Sequence, residues 1–304
     1  MSGRHRLQSS EIQRSCAVSN HRAGCRRYVS GCYEPLTAAA LCAAVGNLVL
    51  HEAALLSVWD KGGHVNEDNA KPNQDSLDVL VRGAEKTFDN AENLFFEAEL
   101  LAKAGAVARA LCLHQISLEE CSKVNILGAW GMSVCMGLEV DQKKVLAAFG
   151  RHASKNKSNA YMLEASETEK DAKRRGDLQG TIEAFKKSQA EFHETSNQAK
   201  NASLYVDWGD GEFVAPSERI TEAMRAEIKE RNAQFLGFAH NSVNMLKRLA
   251  ASPEEMRGKA SGFVEQAKKL RDANPDNPIE AIETWLWDFL EAERRKRRSE
   301  DPAQ

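Results

Sequence analysis

The order of hydrophobic and polar positions predicts a series of long helices from about residue 74 onward. In Gln74–Ala104, residues Leu77, Leu80, Val81, Ala84, Phe88, Ala91, Leu94, Phe95, Ala98 and Leu101 share one face at helical spacing. Asn73 or Asp75 is the expected N-cap and Gly105 the stop. Ala106–Gly128 follows with almost no loop, so the two helices are expected to form an antiparallel hairpin. Trp130–Leu138 reads as a short apolar connection. Asp141 then caps a third helix running to about Arg175 through Val145, Leu146, Phe149 and Met162, and Asp177–Ala202 is a fourth, more polar helix. At Ser203–Val214 the period changes. This stretch is either a small hairpin about Asp210-Gly211 or a structured loop packing Tyr205, Trp208 and Phe213 against the bundle. Helices from Ser217 to about Ala251, from Pro253 to about Ala273 and over Ile279–Arg298 complete the chain. The fold class is all-α: an up-and-down helical bundle with one small extended element and a C-terminal helical extension.

The second predicted helix organises the rest. At about 100° per residue, Arg109, Leu113, Ile116, Glu120, Lys123 and Leu127 fall on one stripe, and Ala110, Leu111, Leu118, Cys121 and Val124 cover most of the remaining circumference. Only a narrow wedge with Gln115, Glu119 and Ser122 suits water. A helix apolar nearly all round is central in its domain, which places Arg109, Glu120 and Lys123 on a stripe expected to be buried. Buried charges must be paired. Two readings follow: an internal ion pair between Glu120 and Lys123 at i,i+3, or a polar site inside the bundle.

Composition narrows the class. The 304 residues are 42% hydrophobic and 28% charged with a net charge of −3, so no global field calls for nucleic acid or an anionic membrane. The charge is uneven: residues 1–33 hold six arginines against Glu11, and Arg294–Arg298 reads RRKRR. Residues 1–35 lack a hydrophobic period and are expected to be disordered, and Leu36–Val58 is expected as a short apolar helix. Residues 1–73 thus form a basic leader, 74–216 the bundle, and 217–304 the extension with its basic tail. The apolar run Leu36–Leu50 is too short to span a bilayer. Seven cysteines, odd in number and without a CxxC, indicate reduced thiols in a cytoplasmic protein without a disulfide framework or zinc site.

The candidate chemistry lies in three segments. Glu119-Glu120-x-x-Lys123 offers a carboxylate pair beside a lysine; a di-metal bundle would require Glu-x-x-His motifs on facing helices, which this region does not have. Phe149-x-x-His152-x-x-Lys155 forms a ladder along one helix side, so an antiparallel partner would bring His152 near Glu120 or Lys123 as an acid–base pair. Arg109-x4-His114 matches the Arg-x4–6-His pattern of helical nucleases, in which arginine holds phosphate and histidine moves the proton. Its specificity is low, since Arg14-x6-His21 in the leader matches too. No glycine-rich phosphate loop, G-x-S-x-G or HExxH occurs, and nothing calls for a cofactor.

Taken in order, RALCLHQISLEECSK (109–123), FGRHASK (149–155) and LYVDWGDGEFVAP (204–216) resemble the AbiV-type abortive-infection family. The resemblance covers about residues 75–216. His114 and Gln115 stand where small or apolar residues are usual, and Phe213 where tryptophan is expected. Such proteins resemble the HEPN superfamily of compact, often dimeric helical bundles, many of them RNA-cleaving toxins. The resemblance therefore implies a phage-defence protein that arrests infected cells by acting on RNA or translation. It carries Glu119, Glu120, Lys123, His152, Lys155, Tyr205 and Asp207 over as motif residues, and a homodimer as the assembly. Two hypotheses follow. One is a metal-independent endoribonuclease in which His152 or His114 carries the proton and Arg109, Lys123 or Lys155 holds phosphate. The other is a non-enzymatic effector that binds a phage protein or the translation machinery, with the Glu/Lys/His motif purely structural.

Overall fold

Three long helices make the core. In the computed structural model, α1 (Gln74–Lys103) and α2 (Val107–Cys135) form the expected hairpin, and α8 (Glu222–Ala251) lies against both. The structure describes residues 74–300 apart from Glu139, Tyr161, Met162, Asp210 and Asp276. The leader, with its expected apolar helix, and the Asn73 cap lie outside the described residues. All described residues belong to one compact unit.

The α1 face buries Leu77, Leu80, Ala84, Phe88, Ala91 and Ala98, the three-and-four spacing that its sequence shows. Gly105, at φ +78°, takes the left-handed conformation that reverses the chain, and Ala106 N–H bonds back to the Leu101 carbonyl at 2.9 Å. The helix α2 does not stop at Gly128. It continues through Trp130 to Cys135, so the expected connection over 130–138 is mostly helix. Gly128 and Gly131 mark close approach to α8 rather than a helix end: a Cβ at Gly131 would lie 2.3 Å from Leu246 Cδ2, and one at Gly128 would lie 3.5 Å from Met245 Cε. Against these positions Phe235, Leu236, Val243, Leu246 and Leu249 are buried with Leu118, Val124 and Leu127.

The C-terminal extension is expected to begin after residue 216. Helix α8 lies beyond it in sequence and fills the same interior. The expected single helix from Ser217 is two: α7 (Pro216–Arg219), then α8, divided where Thr221 caps α8 by accepting from Met224 N–H at 3.3 Å.

The expected third helix breaks into three: α3 (Gln142–Gly150), α4 (His152–Ala160) and α5 (Glu167–Arg174). Asp141 caps α3 as expected. Gly150 is a weak helix former and Arg151 is extended, at φ −102° and ψ 114°. Ser166 then opens α5 by accepting from Glu169 N–H at 3.3 Å, a Ser-x-x-Glu start that the longer periodic reading passed over. Because of the break at Arg151, Phe149 and Lys155 stand on different helices, and the single ladder does not form.

Helix α6 (Leu178–Leu204) begins at Asp177, as the sequence predicted. A two-stranded antiparallel hairpin follows: β1 (Asp207–Gly209) against β2 (Glu212–Val214), with Trp208 opposite Phe213. The alternative of aromatics packed on the bundle is not realised, because Tyr205, Trp208 and Phe213 are all more than half exposed. Helices α9 (Pro253–Ala273) and α10 (Pro278–Glu300) pack together, with Phe263 between Trp285 and Phe289 at 5.4 and 4.9 Å. Arg257 of α9 donates to the Cys135 carbonyl at 2.7 Å, placing a cation at the C-terminal end of α2. Among the described residues no helix is long and apolar enough to cross a membrane.

Candidate functional site

The wedge of α2 that suited water is buried, and of the stripe that suited the core only Leu127 is. Gln115, Glu119 and Ser122 are at most 4% exposed, whereas Arg109 is exposed and Leu113, Ile116, Glu120 and Lys123 are half-buried. The reason lies in what packs there. The apolar residues of α2 face α1 and α8, while its polar wedge meets α4 and α6, which bring their own polar groups.

Glu119 is the centre of that meeting. Lys155 Nζ of α4 lies 2.6 Å from Oε2, and Lys200 Nζ of α6 donates to Oε1 at 2.7 Å. All three side chains are at most 12% exposed. One carboxylate between two ammonium groups bonds to both, one on each oxygen, which makes Glu119 the shared centre of the cluster. Around it, Asn159 Nδ2 donates to the Leu118 carbonyl at 2.8 Å and the Asn156 amide meets His193 Nδ1 at 3.2 Å. Among the described residues the oxygens of Asn156 and Asn159 have no partner, although both residues are buried. Each such orphan costs about 1–3 kcal/mol. Burial pushes the nearby Cys112 thiol up, against the pull of the Ser203 hydrogen bond and the Lys200 and Arg109 charges, so this cysteine is no thiolate nucleophile.

The neighbouring carboxylate, Glu120, makes the ion pair that the sequence suggested, with Lys123, and also accepts from Asn90 Nδ2 at 3.1 Å. It faces α1, away from the Glu119 cluster. Of the motif residues, the structure thus brings Glu119 and Lys155 together, and Glu120 and Lys123 separately. The side chain of His152, which opens α4, lies outside the described residues. Tyr205 and Asp207 lie at the surface, where Asp207 pairs with Arg219 at 3.5 Å.

The match between Arg109 and His114 forms no site within the chain. Five residues apart on a helix, they point to different sides, Arg109 to solvent and His114 to the α1–α8 interior, where it is fully buried. His114 Nε2 faces Glu99 Oε1 at 3.2 Å, Nδ1 meets Asn232 Nδ2 at 3.3 Å, and Phe95 packs on the ring at 4.9 Å. Glu99 is in turn held by Arg225 at 2.9 Å and Lys229 at 2.5 Å. An acceptor carboxylate on one side and an amide donor on the other select the neutral tautomer with Nε2–H donating to Glu99. Burial pushes His114 down to about 4; Glu99 opposes this, and Arg225 and Lys229 reinforce it. The imidazole is buried with both of its nitrogens engaged.

Sequence reasoning missed Lys200, Asn156, Asn159, Glu99, Asn232 and Arg225. Lys200 had a signal: Ser196 and Ser203 flank it on α6 as buried small polar residues, marking a face packed closely against another polar surface. Among the described residues no cluster of three or more metal-ligating side chains occurs.

A helical hairpin closed by a later long helix, with the Glu-Glu-x-x-Lys segment at its centre, is the setting in which the comparisons fall. Residues 79–237 match the AbiV family of HEPN proteins, and the chain belongs to that family. The match ends within α8, in keeping with the position of that helix in the core. The chain is also 60% identical over 123 residues to a Sinorhizobium fredii (strain NBRC 101917 / NGR234) protein, "Uncharacterized protein y4gJ". That alignment takes in 40% of this chain and 64% of the relative, less than two thirds of its length. No solved structure matches.

Proposed function

We propose that this AbiV-family protein is an abortive-infection effector that stops growth of infected cells by binding a protein of the phage or of the translation machinery, with its Glu/Lys motif holding the bundle together. The observation that carries this reading is the Glu119 cluster. The motif's Glu119 and Lys155 bond to one another and to Lys200 inside the protein, a setting that supports a structural role over holding phosphate or moving a proton. The sealed, neutral His114 adds to it. Assembly as a homodimer belongs to the same proposal and is read by light scattering.

The experiment is induced expression of the full chain, with growth and RNA integrity followed for wild type, His152→Ala and His114→Ala, and a thermal melt of each. Growth arrest with intact RNA, lost only in variants that also melt lower, supports the binding reading. RNA cleavage that disappears in His152→Ala at an unchanged melting temperature overturns it and makes the protein an endoribonuclease.

A further inference from the structure

Among the described side chains of helix α4, only Ala160 belongs to the hydrophobic core. The bonds these side chains make to α2 and α6 are polar: Lys155 on Glu119, Asn159 on the Leu118 carbonyl, and Asn156 on His193. Two of these amides keep a buried oxygen without a partner among the described residues. The preceding α3 has no buried residue, and its half-buried Phe149 packs against the core. Beneath α4 lies the buried Glu119 of α2.

We propose that α3 and α4 (Gln142–Ala160) form a lid that opens while the α1–α2–α8 core stays folded, with the Glu119–Lys155 ion pair as its latch. Apolar burial is what ties a helix to the cooperative unfolding of the whole; a helix seated by polar groups exchanges those partners for water when it lifts, so its opening is separable from global unfolding. Lifting also hydrates the two orphan amide oxygens, which favours the open form. It would uncover Glu119, with Lys200 still attached, as a charged patch in the middle of α2. The proposal concerns an equilibrium within the chain and holds whichever partner the protein acts on.

Hydrogen exchange read by mass spectrometry on the full chain tests it, with wild type, Lys155→Met and Glu119→Gln, and a thermal melt of each. In wild type the amides of 152–160 are expected to exchange at least ~100-fold faster than those at the buried centres of α2 and α8, as for a local opening. Lys155→Met removes the charge but keeps the stem; it is expected to speed exchange over 142–160 by a further ~10-fold or more, the loss of one charge-assisted bond, with rates in α2 and α8 unchanged. Equal protection of α4, α2 and α8 in wild type would overturn the proposal. So would a uniform acceleration of all three in Lys155→Met. If Glu119→Gln does not fold, Lys155→Met decides alone, because it leaves the Glu119–Lys200 bond in place.

Discussion

Lys155 reaches Glu119 at 2.6 Å, while the adjacent Glu120 turns to Lys123 and Asn90. Neighbouring residues on a helix point about 100° apart, so one pair of glutamates serves two interfaces: Glu119 joins α2 to α4 and α6, and Glu120 lies along α1. Their energetic roles should differ accordingly. Removing Glu119 takes from Lys155 and Lys200, both nearly buried, the carboxylate that they share, which costs about 3–5 kcal/mol. Glu120→Ala breaks one i,i+3 pair and one half-buried hydrogen bond, for a loss of about 1 kcal/mol. Urea denaturation of Glu119→Ala and Glu120→Ala at neutral pH gives the comparison, and equal losses would contradict the assignment.

Gly131 sets how closely α2 and α8 approach. An alanine there meets Leu246 Cδ2 at 2.3 Å in a site where Leu246 is fully buried. Overpacking of this kind costs about 1–3 kcal/mol, of which helix propensity returns up to about 1. Gly131→Ala is therefore expected to lower the melting temperature. Gly83→Ala is the control, because its new methyl finds only ordinary contact with Leu127 at 3.6 Å; it should raise stability by about 0.5–1 kcal/mol. A melt in which Gly131→Ala is the more stable variant would show that α8 is not held at that distance.

His114 predicts a defined loss of stability in acid. Its folded value of about 4 lies below the ordinary 6.5, so between those pH values the unfolded chain binds the proton that the folded chain refuses. Stability from this group is complete above pH 6.5 and falls as pH drops toward 4, by on the order of 3 kcal/mol in all. Glu99 adds a second loss at lower pH. Burial acts to raise it, but Lys229 and then His114 more than offset this and hold it below 4.5, so its contribution goes as the carboxylate is protonated below that value. Urea midpoints measured across pH 4 to 7 should show the slope in wild type and a flatter line in His114→Gln. An imidazole titrating near 6.5 by NMR would refute the buried assignment.

The hairpin aromatics are expected to contribute little to the fold. Trp208 and Phe213 are 60% and 73% exposed and touch edge to face at 4.9 Å. Such a pair contributes about 0.5–1.5 kcal/mol locally, and both rings stand clear of the core. Trp208→Ala and Phe213→Ala should leave the global melt of the bundle within about 1 °C, as read by circular dichroism at 222 nm, because surface substitutions rarely matter. A shift of several degrees would mean that the hairpin is part of the cooperative core.

The sequence by itself determined the all-α class, the α1–α2 hairpin, several helix ends and the AbiV resemblance, and left 203–214 open between a hairpin and a packed loop. Those features are local: three-and-four apolar spacing, a glycine at positive φ, and Asp caps act within a turn or two of the chain. It also paired Glu120 with Lys123, because that pair is one helical turn apart. Only the tertiary structure decided which face of α2 is buried. Hydrophobic count alone put Glu119 in water, since nothing along α2 shows that α4 and α6 approach it with Lys155, Lys200 and two asparagines. The same holds for His114, whose partners Glu99 and Asn232 come from helices on either side of it in sequence. A charge can be buried only where distant segments supply its partners, and that matching is a property of the packed chain.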